Sequence, residues 1–351
     1  MKKRSGFLSD PMIFAWLFGL LSLLFILNLF LGSVIIPIGE VFRILFGEST
    51  AGQTESIIVL NFRLPQTITA LFTGAALAVA GLMMQTLFRN PLADPSILGI
   101  SSGAGLGVAI LLFFTGTVTS QVSGAADILT HLGLNMAAFI GALAVLLLIL
   151  FISNKLRNAV SLLIVGIMIA YVAGALVGIV KYFSRKEDVY AFALWGLGSF
   201  SNVGNSQLPV FIVSICIGLV FSVLMMKSLN LLLLGDRYAA NLGLNIRMTT
   251  IYIVIITGFL TAIVTAYAGP IAFIGLAVPH LSRSLFKTAD HKVLLPATMI
   301  LGSCLALFCN LVSRLPGFDG SLPINSVTSL IGAPIVIWFI FKHRNFSSQE
   351  S

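Results

Sequence analysis

The chain has 351 residues, of which 58% are hydrophobic and 9% charged, and it carries a formal net charge of +8. A soluble domain carries about 25% charged residues, so this composition excludes one and points to an all-α polytopic membrane protein. The positive balance requires no nucleic-acid partner, because basic loops on the cytoplasmic side of a membrane account for most of it.

A helix needs about 20 apolar residues to cross a hydrocarbon core of about 30 Å. Ten segments are candidates: Phe14–Leu31, Leu64–Leu87, Pro95–Thr115, Leu134–Ile152, Val160–Tyr182, Leu208–Met226, Met248–Ala268, Ile271–Phe286, Val293–Val312 and Pro323–Phe341. The first follows MKKR, as a secretory signal would, but it is long for a signal's apolar stretch of about 7–15 residues, and no small-residue cleavage site follows closely. It is therefore read as a span. The eighth is short and contains Pro279, which predicts a tilted or broken span. With ten spans and both ends inside, 14 Lys and Arg residues fall in cytoplasmic segments and six outside, the asymmetry that sets orientation. Residues 1–351 are thus expected to form one transmembrane domain with both termini cytoplasmic.

Along the chain, Arg63 precedes the second span. Arg89 to Gly107 then reads RNPLADPSILGISSGAGLG. Pro91 and Pro95 forbid a continuous helix through this turn, since proline lacks an amide donor and restricts the residue before it. Asp94 or Ser96 is suited to cap the helix that follows, and the glycines let a neighbouring helix approach or simply make a well-packed hairpin. The outer end of the fifth span carries Lys181, Tyr182, Arg185 and Lys186. That cluster reads either as an interfacial anchor partly balanced by Glu187 and Asp188, or as an attractor for an anionic cargo.

Between the sixth and seventh spans lies a polar island, GDRYAANLGLNIR (Gly235–Arg247), within a cytoplasmic segment of about residues 228–247. Ala239, Ala240, Leu242 and Leu244 offer a small apolar surface, Asp236 and Arg237 open it, and Gly243 closes it as a helix C-cap would. A partner protein or the membrane surface would suit such an element. Gly269-Pro270 breaks the chain at the outer face, and Pro279 bends the helix whose Arg283 meets headgroups or a partner. Arg314 follows the ninth span. Arg63 and Thr73-Gly74 recur at the spacing of Arg247 and Thr257-Gly258, a faint sign of an inverted repeat.

Absences narrow the function. Cys216, Cys304 and Cys309 fall in apolar spans without a CxxC pair, and the four histidines show no metal-ligand spacing, so no metal site is expected. All 12 acidic residues lie in predicted loops or tails, whereas ion-coupled carriers place ionisable groups in the bilayer. None of the nine lysines follows a glycine, so no phosphate-binding P-loop is present. A transport pore driven from outside the chain is the reading that remains. A secondary carrier is the rival, and an intramembrane enzyme lacks a catalytic constellation.

RLPQTITALFTGAALAVAG (Arg63–Gly81), the RNPLADP turn, LGDRYAANLGLNI (Leu234–Ile246), GPIAFIGLAVPHLSR (Gly269–Arg283) and LPINSVTSLIGAPIVIWFI (Leu322–Ile340) resemble, in order and spacing, the permease subunits of ABC importers for iron-siderophores, haem and cobalamin, the FecCD or BtuC-like family. The resemblance implies a type II importer fold of ten transmembrane helices in a bacterial inner membrane. It further implies a homodimer or paired heterodimer, two cytoplasmic ATPase subunits that hold ATP and Mg, an external binding protein, and no cofactor in this chain. It assigns ATPase coupling to Gly235, Asp236, Arg237, Ala239, Ala240, Leu242 and Gly243, and binding-protein docking to Arg63 and Arg314. Two departures stand out: Gln66 occupies the place of a second family arginine, and Asn310 the place of an aspartate four residues before Arg314. An iron chelate is the expected cargo on the family's breadth. Coupling is expected to move the fifth span and its inner loop at Lys155–Ala159.

Overall fold

The computed structural model describes residues 10–32, 34, 36–47, 53–115, 125–153, 159–314 and 321–347, and among them there are helices and no strand. The inner loop at 154–158 and the basic residues before Asp10 lie outside the described residues. In chain order the helices are α1 (Asp10–Phe30), α2 (Ile38–Leu45), α3 (Gln53–Ile57), α4 (Leu64–Phe88), α5 (Ile100–Thr115), α6 (Ala125–Ser153), α7 (Ala159–Phe183), α8 (Lys186–Gly196), α9 (Leu208–Leu224), α10 (Met226–Leu232), α11 (Asp236–Asn241), α12 (Ile246–Ala268), α13 (Ile274–Phe286), α14 (His291–Ser313) and α15 (Ile324–Ser347). A π-helical turn, Ile58–Arg63, runs into α4.

Each of the ten apolar segments contains helix, but they are not ten equal spans. Among the described residues, six helices are long and apolar enough to cross a membrane, and a seventh span arises if α9 and α10, bent by 51°, count as one. The shorter three, α5, α13 and the apolar part of α15, have local causes. α13 starts late because Gly269 (φ +77°) and Phe273 (φ +69°) hold a non-helical outer corner. α5 starts late because the chain after α4 climbs back into the protein before it turns helical.

The core is built around α4. Nearly every residue from Pro65 to Phe88 is buried, and α4 packs against α9, α12, α13 and α14. Small residues permit this, since two helix backbones approach closely only where side chains are missing. A Cβ on Gly74 would lie 2.2 Å from the Gly302 carbonyl oxygen of α14, and one on Gly81 would lie 1.8 Å from the Gly275 carbonyl oxygen of α13. Pro279 explains the second contact: it has no N–H to give to the carbonyl four residues earlier, and that carbonyl belongs to Gly275. The proline read as a bend is therefore accommodated inside α13, and it frees an oxygen that sits over the bare Gly81 backbone.

Candidate functional site

The outer end of α4 joins α1 and α14 through buried polar side chains. Asn310 of α14 accepts from Gln66 Nε2 at 3.0 Å and donates its own amide to Asn28 Oδ1 of α1 at 2.9 Å. Arg314 donates to Gln66 Oε1 at 3.1 Å and to Asn28 Oδ1 at 2.9 Å. The two positions that depart from the family pattern are thus hydrogen-bonded to each other. A neutral amide pair closes the network here, and it avoids the desolvation cost of a buried ion pair.

Arg63 is turned inward by the π-helical turn and is only 4% exposed. Its Nη1 donates to the carbonyls of Leu29 and Phe30 at 2.9 Å each, and its Nη2 donates to Val34. Leu29 and Phe30 end α1, where carbonyls lack intrahelical partners and a cation is favoured. Arg63 therefore caps α1. With Arg314 it also lines an outer cavity of about 340 Å³, together with Gln66, Phe62, Ile58 and Ser321. Among the described residues no carboxylate lines this cavity, which two guanidiniums share. Burial, and secondarily the neighbouring Arg63, push the Arg314 pKa down to about 10. The buried Nε–H of Arg314 meets no acceptor among the described residues.

At the C-terminal end of α4, Gly235 adopts φ +100° and starts α11 at Asp236, whose carboxylate pairs with Arg89. Arg89 is itself the left-handed cap of α4. α11 ends in a Schellman motif: the amide of Leu244 reaches Ala239 O at 3.0 Å, and that of Gly243 (φ +90°) reaches Ala240 O at 2.9 Å. This geometry satisfies the last carbonyls and needs a residue tolerant of positive φ. Ala239 is fully buried and faces the protein, which alters the expected surface. The apolar groups offered to the outside are Tyr238, 71% exposed, and Leu242, 62% exposed, beside exposed Ala240 and Arg237. Tyr238 was not singled out by the sequence, because helical phase in so short an element is fixed only by its caps.

A second polar chain ties α10 to the same framework. Asn230 donates to Asp290 Oδ1 at 2.7 Å and accepts from the His291 amide at 2.9 Å; the His291 ring bridges Asn230 Oδ1 at 2.8 Å and Thr86 Oγ1 of α4 at 2.9 Å. The Lys292 amide and then Asn230 hold the Asp290 carboxyl below the usual range. α4 thus touches the arginine cavity at its N-terminal end through Gln66, and the α10–α11 segment at its C-terminal end through Thr86, by way of His291, and through Arg89.

The turn after α4 corrects a reading made from the sequence. Pro91 presents its carbonyl to His280 Nε2 at 2.7 Å, Pro95 opens a 3-10 turn over Pro95–Leu98, and Asp94 caps that turn by accepting from Ser96 N at 2.9 Å. Asp94 does not stay at the inner surface, where a loop between two spans was expected. It lines a water-sized void with Leu77 of α4, Thr261 and Thr265 of α12 and Gly275 of α13. Leu77 lies roughly 16 Å from the inner end of α4 at about 1.5 Å per residue. Asp94 therefore packs beside the middle of α4 rather than at its end. Proline and glycine break the helix there, and the surrounding helices satisfy the freed backbone.

The outer basic cluster is split. Lys181 stands 5.0 Å from the Phe192 ring centroid of α8, a helix not expected from the sequence, while Tyr182 is exposed, as are Arg185 and Lys186. Gly269 and Pro270 form the outer corner, which Ser199 and Asn325 tie down through Ala268 O at 2.8 Å and the Ala272 amide at 3.1 Å. Gly174 and Gly178 in α7 form a GxxxG pattern, and beyond the local α7 backbone no atom of the described residues lies within 4 Å of a Cβ added at either.

Comparison with known proteins agrees with this architecture. Residues 20–342 match the FecCD transport family. The hemin transport system permease protein HmuU of Yersinia pestis is 38% identical over 304 residues, spanning 86% of this chain and 88% of its own. The vitamin B12 import system permease protein BtuC of Klebsiella pneumoniae is 36% identical over 333 residues, spanning 94% of each. Among solved structures, an ABC transporter of metal-chelate type in an inward-facing conformation superposes with a TM-score of 0.82 at 29% identity, covering 95% of this chain and 99% of that one.

Proposed function

The chain belongs to the FecCD transport family and is a multi-pass permease subunit of an ABC importer without an ATPase site of its own; we propose that it carries an iron chelate across a bacterial inner membrane. In this reading both termini are cytoplasmic. Two ATPase subunits, which hold ATP and Mg, grip α11 from inside, and an external binding protein delivers the cargo to the outer face. This chain itself holds no cofactor.

One observation carries the proposal: α4 runs unbroken from the outer arginine cavity to the Arg89–Asp236 pair, with its middle locked against α13 and α14 by glycine contacts. A packed rod of this kind transmits displacement rather than absorbing it, since close-packed interiors are stiff. Binding-protein docking at Arg63 and Arg314 is supported by the cavity that the two guanidiniums share. Because most of their N–H groups are already bonded inside the protein, they act mainly through the positive field of the cavity, which steers encounter more than it adds affinity.

The second copy of the permease has a natural place. α7 is the least buried of the long helices, with 11% of its most apolar window covered, and its bare Gly174–Gly178 face suits close helix association. Homodimerisation through that side would leave α7 next to the pathway.

Haem and cobalamin are the alternative cargoes, because relatives of similar identity are named for hemin and vitamin B12. The test is reconstitution of the permease with its ATPase and binding protein in vesicles. The binding protein is loaded in turn with a ferric siderophore, haem or cobalamin, while ATP hydrolysis and uptake are followed together. The ferric chelate alone should stimulate both; hydrolysis indifferent to loaded binding protein at every concentration would refute the coupling. Uptake persisting in nucleotide-free vesicles would revive the secondary-carrier reading.

A further inference from the structure

The cavity at the cytoplasmic ends of α4, α13 and α15 shares Arg89 with the mechanism above, but its remaining lining has no part in it. It has a volume of about 650 Å³, and Arg89, Pro91, Leu92, Leu233, Arg283 and Phe339 line it beside Gln85, Thr86 and His280. Among the described residues the lining contains two guanidiniums and no carboxylate. Arg283 has one hydrogen-bond partner among the described residues, the neutral Gln85 Oε1 at 2.6 Å. No carboxylate among the described residues pairs with it. Arg89 shares its charge with Asp236, which is exposed. The rest of the wall is mainly apolar, with the Phe339 ring packed on the His280 ring at 4.1 Å between centroids.

Position adds to the chemistry. Arg283 lies in the last turn of α13, and Gln85 and Arg89 flank the end of α4, so the guanidiniums stand where the hydrocarbon core gives way to headgroups. Basic pockets between transmembrane helices on the cytoplasmic side suit anionic headgroups. We infer that this cavity binds an anionic phospholipid, with the headgroup phosphate on Arg283 and Arg89 and the start of its acyl chain against Leu92 and Phe339. Since Arg89 also holds Asp236, the lipid and the coupling segment compete for one guanidinium, and the lipid content of the inner leaflet is linked to how firmly α11 is held. The inference rests on the cytoplasmic placement of this face, but the measurement below is made on purified protein, so failure of the transport reading would leave it standing.

The test is native mass spectrometry of the delipidated full-length chain in mild detergent, titrated with phosphatidylglycerol and, separately, with zwitterionic phosphatidylethanolamine. Phosphatidylglycerol should bind in preference. Arg283→Gln should weaken it about fivefold, the effect of removing one basic residue near a headgroup. Leu92→Trp, which fills the cavity without changing charge, should weaken it as well, whereas Asp236→Asn should strengthen it by releasing Arg89. Should Arg283→Gln fail to fold, Leu92→Trp decides. Equal binding of the two lipids would overturn the inference, as would unchanged binding in both cavity variants. So would displacement of phosphatidylglycerol by millimolar inorganic phosphate, which would mark a site for a free anion.

Discussion

α4 and α7 are both apolar helices of 25 residues, yet they live in opposite surroundings. α7 is the more hydrophobic, with a mean hydropathy of 2.6 against 1.8 in the best window, but 11% of that window is buried in α7 and 83% in the span containing α4. Hydropathy measures how well a helix tolerates lipid, and lipid tails are as apolar as a protein core. What brings α4 inside is its small and hydroxylated residues, among them Gly74, Ala76, Ala80, Gly81, Thr67 and Thr69, which let neighbours approach and satisfy their own polar groups. The hydroxyls of Thr67 and Thr69 return to carbonyls four residues back, at 2.6 and 2.8 Å. α7 presents Tyr171, Val172, Leu176 and Ile179 outward instead.

That contrast breaks most sharply under substitution at a glycine. Gly81→Leu should destabilise the chain by about 3 kcal/mol or more, because the Gly275 backbone must move away. Gly174→Leu in α7 should leave the chain's own melting temperature nearly unchanged and instead weaken association of two copies. Thermal unfolding in detergent, paired with cross-linking of the dimer, reads both effects. Equal destabilisation by the two would show that burial does not separate these helices.

The outer end of α4 gives the next largest effect. Gln66→Leu strands Asn310 Oδ1 and the Arg314 Nη1 donor and should cost about 1–3 kcal/mol. Gln66→Arg combined with Asn310→Asp should recover more stability than the sum of the single changes allows, a coupling that a double-mutant cycle measures. Additive behaviour would mean that the two side chains do not communicate.

In the turn beyond α4, Asp94→Ala should cost about 1 kcal/mol as the cap is lost, while Asp94→Asn, which keeps an acceptor, should cost much less. If Asp94→Asn abolished uptake with the melting temperature preserved, the carboxylate would have a role beyond capping.

The smallest effect on stability belongs to the inner ion pair. Asp236 and Arg89 are exposed, so breaking them should change stability by about 0–1 kcal/mol. Asp236→Arg should nevertheless uncouple ATP hydrolysis from uptake, and the exchange with Arg89→Asp should restore coupling. A variant that melts normally, hydrolyses ATP and still transports would remove α11 from the coupling role.

The sequence by itself determined the class, the apolar segments, the break at Pro91 and Pro95, and the polar island before α12. Each depends on local chemistry: hydropathy over a window, missing amide donors, and glycines able to take positive φ. It did not determine that Asp94 packs beside the middle of α4, that Ala239 faces inward while Tyr238 faces out, or that Gln66 and Asn310 satisfy each other across 244 positions of chain. Nor did it reveal that Arg63 caps α1. These depend on which helices meet, and helices meet where glycine pairs such as Gly74 with Gly302 and Gly81 with Gly275 bring backbones into contact. That information is spread over the whole chain, and only the tertiary structure assembles it.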